Sequence, residues 1–181
     1  MLEREIKLRF ESVDAARAAV RASGAAPLRG RRLQEDCILD TRDRMLGERQ
    51  SVLRVRIEPG RTLLTFKGPL QPSAMKLRPE LETDAGDSGI LLRILEELGF
   101  RVIFRYQKYR EEFAKDDAVV AIDETPVGVF VEIEGSDRSI AEITTALGHS
   151  PGDYLLDSYR SLYLQHCGER GIAASNMLFT D

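Results

Sequence analysis

The chain has 181 residues and a mass of 20.3 kDa, with 43% hydrophobic and 31% charged side chains, the balance of one core-forming domain rather than of a disordered or fibrous chain. Twenty-six Lys and Arg against 30 Asp and Glu leave a net charge of -4, which argues against the broad cationic surface of a nucleic-acid binder. No apolar run approaches the ~20 residues that cross a bilayer, the opening MLEREIKLRF holds no apolar signal core, and two cysteines and two histidines are too few for a disulfide framework or a Cys-rich zinc centre.

A soluble, cytoplasmic protein without nucleic-acid or membrane partners is therefore expected, and any metal should be a hard cation held by carboxylate oxygens. Nothing resembling a linker or repeat divides residues 1–181.

In chain order, Leu2, Arg4, Ile6, Leu8 and Phe10 alternate with Glu3, Glu5, Lys7 and Arg9, the period of a strand. Ser12 is placed to cap a helix over SVDAARAAVRASG, ended by Gly24 and Pro27. A strand over Leu33 to Leu39 follows, then irregular chain through Asp40, Arg44 and Gly47. SVLRVRIEP and TLLTFKG read as a hairpin turning at Pro59-Gly60. In MKLRPELET, Lys76, Arg78, Glu80 and Glu82 share a face, and Pro79 predicts an edge or a bulge. Ile90, Leu91, Ile94, Leu95 and Leu98 stand at helical spacing before Gly99. Strands resume in FRVIFRYQKYREEFA, VVAIDE and GVFVEIEG. Further helices are expected over DRSIAEITTALG and within DYLLDSYRSLYLQHC.

The informative feature is the second face of these strands. It carries Glu3-Glu5-Lys7, Arg54-Arg56, Arg78-Glu80-Glu82, Lys108-Arg110 and Glu132-Glu134, with Lys67 and Asp123 adding single charges. Any one such face could simply be solvated. Repeated over so many strands, the pattern fits a sheet curled into a barrel whose lining is charged and whose apolar outside is covered by helices. As a stability device the lining would be poor, because burying ions costs several kcal/mol each. A ligand with many negative oxygens and divalent cations would use both signs of charge at once.

The ordered motifs are similar to those of the CYTH superfamily, the triphosphate tunnel metalloenzymes. Glu3-Arg4-Glu5-Ile6-Lys7 resembles its ExExK element, Leu53-Arg54-Val55-Arg56 its LRxR strand, and Thr65-Phe66-Lys67-Gly68 its basic strand. Arg78-Pro79-Glu80-Leu81-Glu82 resembles its RxExE strand, Lys108-Tyr109-Arg110 its KxR element and Ile122-Asp123 its late acidic strand. Val131-Glu132-Ile133-Glu134 resembles its ExE strand and Ser158-Tyr159 its C-terminal SY.

The resemblance implies an α+β fold, an eight-stranded antiparallel β-barrel tunnel with helices packed outside, and a substrate carrying a triphosphate: tripolyphosphate, thiamine triphosphate or ATP. Mg²⁺ or Mn²⁺ is the implied cofactor. By carry-over, Lys7, Arg54, Arg56, Lys67, Arg78, Lys108 and Arg110 bind phosphate. Glu3, Glu5, Glu80, Glu82, Asp123, Glu132 and Glu134 are the metal-ligand candidates, and Lys67, Arg56, Glu132 and Glu134 the catalytic set.

Two departures matter: Ile38-Leu39 stands where a tyrosine helps activate water in some hydrolases, leaving water held by the metal as the nucleophile, and the His-Phe element of several cyclases is missing, which favours hydrolysis over cyclisation. Hydrolysis of inorganic or small organic triphosphates is the first expectation. Conversion of ATP to cyclic AMP and pyrophosphate, and non-catalytic binding of polyphosphate or nucleotides, are the alternatives.

Outside the motifs, Arg29-Gly30-Arg31-Arg32 reads either as a greeting for anionic substrate at a tunnel mouth or as a solvated turn. Tyr106, Tyr109, Tyr154, Tyr159 and Tyr163 read as packing residues, as do Cys37 and Cys167. The Leu- and Tyr-rich last helix suggests a homodimer. From about residue 169 the chain is expected to be a flexible tail or to dock Met177-Leu178-Phe179 on a neighbour.

Overall fold

The computed structural model describes residues 2–180. Eight strands close into one antiparallel barrel in the order β1-β5-β4-β3-β2-β6-β7-β8. They are β1 (Leu2–Phe10), β2 (Ala26–Thr41), β3 (Val52–Glu58), β4 (Arg61–Lys67), β5 (Lys76–Ala85), β6 (Phe100–Lys115), β7 (Ala118–Thr125) and β8 (Gly128–Glu134). Between them run α1 (Val13–Ala22), α2 (Met45–Glu48) and α3 (Ser88–Glu97), and after β8 come α4 (Asp137–Ala146) and α5 (Tyr159–Arg170). No helix among the described residues is long and apolar enough to cross a membrane.

The alternation read in the sequence sets which side of each strand faces inward. Ile6 and Leu8 of β1, Val120 and Ile122 of β7, and Val131 and Ile133 of β8 point outward into one cluster with Ala16 and Val20 of α1 and Ile140 and Ile143 of α4. Cys37, Leu39 and Val55 form a second cluster under Leu91, Leu92 and Leu95 of α3. Each fully buried aliphatic side chain contributes roughly 1.5–3 kcal/mol, so the helices hold the barrel from outside and leave its interior to the charged parity.

Local signals fix the helix ends. The Ser12 hydroxyl accepts from the Ala15 amide at 3.1 Å, Asp87 from Ile90 at 2.8 Å, Ser136 from Ser139 at 3.2 Å and Ser158 from Ser161 at 3.1 Å. Each satisfies an amide that lacks a helical partner. Gly171 ends α5 at φ 64°, a left-handed cap that glycine adopts without strain.

Three expectations are corrected. β2 begins at Ala26 rather than near Leu33 and runs through Pro27 and Gly30; its pairing with β6 shifts register between Pro27 and Arg29 and again between Arg29 and Arg32. Pro79 sits on no edge. It lies where β5 changes partners, from β4 over Glu80–Ala85 to β1 over Lys76–Pro79, so its missing amide breaks no ladder of several bonds. The C-terminal segment docks on the chain's own β6: the Met177 amide donates to Arg105 O at 3.0 Å, the Gln107 amide to Met177 O at 2.9 Å, and Met177 is fully buried.

Candidate active site

The inward parity of the strands surrounds a cavity of about 1120 Å³ that opens to solvent. Glu3, Glu5 and Lys7 reach it from β1, Arg54 and Arg56 from β3, Lys67 from β4, and Arg78, Glu80 and Glu82 from β5. Lys108 and Arg110 reach it from β6, and Glu132 and Glu134 from β8. Asp123 is fully buried just behind this lining, bonded to its cations. The residues singled out in the sequence therefore converge on one space.

Within it the charges sort into three groups. At the first, Lys7 Nζ lies 2.8 Å from Glu132 Oε1, and the Arg110 guanidinium bonds Glu132 as well. Asp123 accepts from Lys108 Nζ at 2.8 Å, from Arg110 Nε and Nη2 at 2.7 and 2.5 Å, and from the Tyr159 hydroxyl at 2.6 Å. Burial opposes the charge of both carboxylates, but these cations outweigh it and hold Asp123 below, and Glu132 well below, the usual range. Lys108 shows the opposite balance: burial and then the neighbouring Arg110 pull it down to about 8.

The second group centres on Asp36, which the sequence reading passed over. Asp36 is fully buried and takes a two-pronged bond from Arg56, Nε to Oδ1 at 2.8 Å and Nη2 to Oδ2 at 3.1 Å, the geometry a planar guanidinium favours. Arg54 stands beside it at 3.7 Å and also meets Glu82 at 3.3 Å. The Nε of Arg54 and the Nε of Arg78, both buried, find no hydrogen-bond partner among the described residues. A guanidinium hydrogen left unmatched in a buried place costs about 1–3 kcal/mol or more, so these positions favour an added acceptor.

The third group is acid-rich. Lys67 Nζ bonds Glu3 and lies 2.9 Å from Glu80 Oε2, and Lys76 Nζ bonds Glu5 at 2.6 Å. Burial and then the nearby Glu5 raise Glu3 to about 8 and Glu134 to about 7, while Lys76 overcomes burial to hold Glu5 at about 2. Crowded carboxylates of this kind favour a divalent cation among them, and with no sulfur or imidazole in the lining the donor chemistry suits a hard ion. Among the described residues no three such groups stand close enough to form a ready-made metal cluster.

β2, β3 and β6 also share an ion-paired cluster, centred on Glu58. The Glu58 carboxylate, with no exposed surface, accepts from Arg29 at 2.7 Å, Arg32 at 2.9 Å and Gln34 at 2.8 Å. Arg32 also bonds Glu112 at 2.7 Å. Arg29 and Arg32 are thus neither a solvated turn nor a free landing site, and Arg31 lies over the Tyr109 ring. Lys76, which lines the cavity, and Asp36, buried beside Arg54 and Arg56, are two charged residues that the motifs did not mark. Lys76 shares the parity of Arg78, which was the available signal, whereas Asp36 alternates with Gln34 and Ile38 on a face that does not read as charged.

A model of the CYTH domain matches residues 1–159. The chain belongs to the CYTH family. CYTH proteins are in general metal-dependent tunnel enzymes, and the relatives of this one point to a substrate that contains a triphosphate. A protein of Methanocaldococcus jannaschii, provisionally named adenylate cyclase MJ0240, is 30% identical over 173 residues, covering 90% of this chain and 98% of its own.

Among solved structures, PH1819 of Pyrococcus horikoshii superposes with a TM-score of 0.75 at 26% identity, covering 91% of this chain and 99% of its own. A Vibrio parahaemolyticus protein, provisionally an adenylate cyclase, gives 0.77 at 22% over 90% of this CYTH chain and 97% of its own. HpAC1 of Hippeastrum, provisionally an adenylyl cyclase and described as having a dominant triphosphatase activity, gives 0.63 at 19% over 95% and 97%.

Proposed function

We propose that this CYTH protein hydrolyses inorganic or small organic triphosphates, with Lys7, Arg54, Arg56, Lys67, Arg78, Lys108 and Arg110 binding the phosphates. The observation that carries the reading is the pair of buried guanidinium Nε groups of Arg54 and Arg78 that make no hydrogen bond among the described residues, on side chains that line a cavity carrying both signs of charge. Phosphate oxygens supply the missing acceptors, and arginine meets them in the same planar fashion in which Arg56 meets Asp36. Phosphoryl transfer is catalysed mainly by positioning and by neutralising charge, so a cage of fixed cations serves without a protein nucleophile.

Glu3, Glu5, Glu80 and Glu134 would hold Mg²⁺ or Mn²⁺, a choice supported by the burial and mutual crowding that raise the pKa of Glu3 and Glu134. Bound there, the ion would neutralise phosphate charge and acidify water. Glu132 and Asp123 are held by lysine and arginine in this structure. Of the two, Glu132 stays in the catalytic set because it lines the cavity. Asp123, whose oxygens already accept from Lys108, Arg110 and Tyr159, serves the cage by orienting those cations. Hydrolysis is preferred because a lumen open to solvent delivers water to the terminal phosphorus, whereas cyclisation needs water excluded from the reacting phosphate.

Conversion of ATP to cyclic AMP is the second reading. It is favoured by the names of the relatives and by the cavity's size, which reaches the upper end of pockets for drug-sized ligands, with apolar Ile38, Val52, Leu70 and Ile103 beside the charges. The test is to give purified protein tripolyphosphate, thiamine triphosphate and ATP with Mg²⁺ or Mn²⁺, and to follow phosphate, pyrophosphate and cyclic AMP. Phosphate release supports hydrolysis, cyclic AMP with pyrophosphate replaces it by the second reading, and binding without turnover refutes both.

A further inference from the structure

The chain beyond the family match packs against the cage from behind. β7 pairs with β6 only over Tyr109–Lys115, which leaves the edge of β6 around Tyr106 without a partner from β7. The C-terminal segment takes that edge. Besides the two Met177 main-chain bonds, the Asn176 side-chain oxygen Oδ1 accepts from the Arg105 amide at 2.8 Å, and the Phe179 ring lies 5.2 Å from that of Tyr109. The Met177 side chain enters one buried cluster with Phe104, Tyr106, Phe130, Tyr159 and Leu162.

Tyr159, at the start of α5, lines the cavity from that cluster together with Tyr106, and it is the one of the two whose ring lies against the lysines. Its ring centre lies 4.6 Å from Lys7 Nζ and 4.9 Å from Lys108 Nζ. Its hydroxyl donates to Asp123 at 2.6 Å. A lysine ammonium sits on a flexible stem and does not hold one position unaided. Here each lysine has one carboxylate partner at 2.8 Å, Glu132 for Lys7 and Asp123 for Lys108, and a further carboxylate would cancel more of its charge. An aromatic face adds attraction through the ring quadrupole without adding a negative charge to compete with an incoming anion.

We propose that Tyr159 is a positioning residue for Lys7 and Lys108, and that Met177, on the docked C-terminal segment, holds its ring in place. The inference rests on the phosphate-binding reading of those lysines. It extends the working site to chain that lies outside the family match.

The test is calorimetric titration of the full chain with inorganic tripolyphosphate, without divalent metal, alongside thermal melts. Tyr159→Leu removes both ring contacts and should weaken binding about 5- to 30-fold. Tyr159→Phe keeps the ring and should stay within about threefold of the parent. Met177→Ala should weaken binding by about threefold or more, with Met177→Leu restoring it.

A folded Tyr159→Leu protein that binds as tightly as the parent overturns the proposal, as does a Phe variant that loses as much as Leu. If Tyr159→Leu does not fold, the Met177 pair decides, and equal binding by Ala and Leu overturns it. Failure of the parent itself to bind tripolyphosphate overturns this inference and the proposed function together. A binding parent with unaffected variants overturns this inference alone.

Discussion

Glu132→Gln tests the cage with effects of opposite sign. In the structure Glu132 faces Lys7 at 2.8 Å, bonds Arg110 and lies 4.0 Å from Lys108, with 12% of its side chain exposed. Amide for carboxylate preserves shape but leaves the three cations with Asp123 and, near Lys7, Glu5 as counter-charges. Breaking a buried pair costs about 3–5 kcal/mol. Here the cavity admits water and Asp123 still balances two of the cations, so about 2–3 kcal/mol is expected, out of the 5–15 kcal/mol of an ordinary fold. For a chain of this length that lowers the melting temperature by roughly 5–10 °C.

Tripolyphosphate should reverse the loss. The variant exposes more positive charge to it and should gain more than the ~2.7 kcal/mol that a saturating ligand at a hundred times its dissociation constant gives any binder. Metal-dependent turnover should fall by about a hundredfold or more, as when one group is removed from a preorganised electrostatic site. Urea unfolding with and without tripolyphosphate, plus phosphate release with Mg²⁺, reads all three effects. An unliganded variant as stable as the parent would refute the charge balance derived for this cluster, and parental turnover would remove Glu132 from the machinery.

Other outcomes follow from the same structure. Although burial opposes its charge, Glu58 is held at about 2 by Arg29, Gln34 and Arg32. Its contribution should therefore be complete above the ordinary carboxylate value and vanish as pH falls through about 2; Glu58→Gln should lose roughly 3 kcal/mol at pH 7 and little at pH 2, by denaturant titration at each pH. Lys108, pulled down to about 8, should shed its proton as pH rises through that value. Tripolyphosphate affinity should drop there while unliganded stability rises toward pH 10, because the unfolded chain binds the extra proton; Lys108→Met should flatten both curves. A Cβ on Gly135 would come within 2.8 Å of Ala118 Cβ and 3.0 Å of its backbone Cα, so Gly135→Ala should cost about 1–3 kcal/mol in thermal melts.

The strand parities were legible because a charged lining gives a stronger period-two signal than an ordinary solvated face. Glu3-Glu5-Lys7 or Glu132-Glu134 cannot all point inward unless Ile6 and Ile133 point outward, and helix-period patterns such as that of Leu91 and Leu95 supplied the cover. Closure of the barrel was inferred from repetition, while the pairing of β1 with β8 and of β2 with β6 joins strands far apart in sequence, which alternation cannot specify.

Asp36 was missed because Ile38 interrupts the charged parity of β2. The C-terminal segment was misread because a short apolar run such as Met177-Leu178-Phe179 announces burial without naming its partner. Of the Leu and Tyr residues of α5 that suggested a homodimer, Tyr159 and Leu162 are buried within the chain's own core, whereas Leu164 is 43% exposed.

The central claim is that the two signs of charge share one ligand. Crystals soaked in tripolyphosphate and Mn²⁺, with data collected for the anomalous signal of manganese, test it most directly. The account predicts phosphate oxygens on Arg54 and Arg78 and an anomalous peak among Glu3, Glu5, Glu80 and Glu134. An empty lumen, with the anion bound on the outer surface, would contradict it.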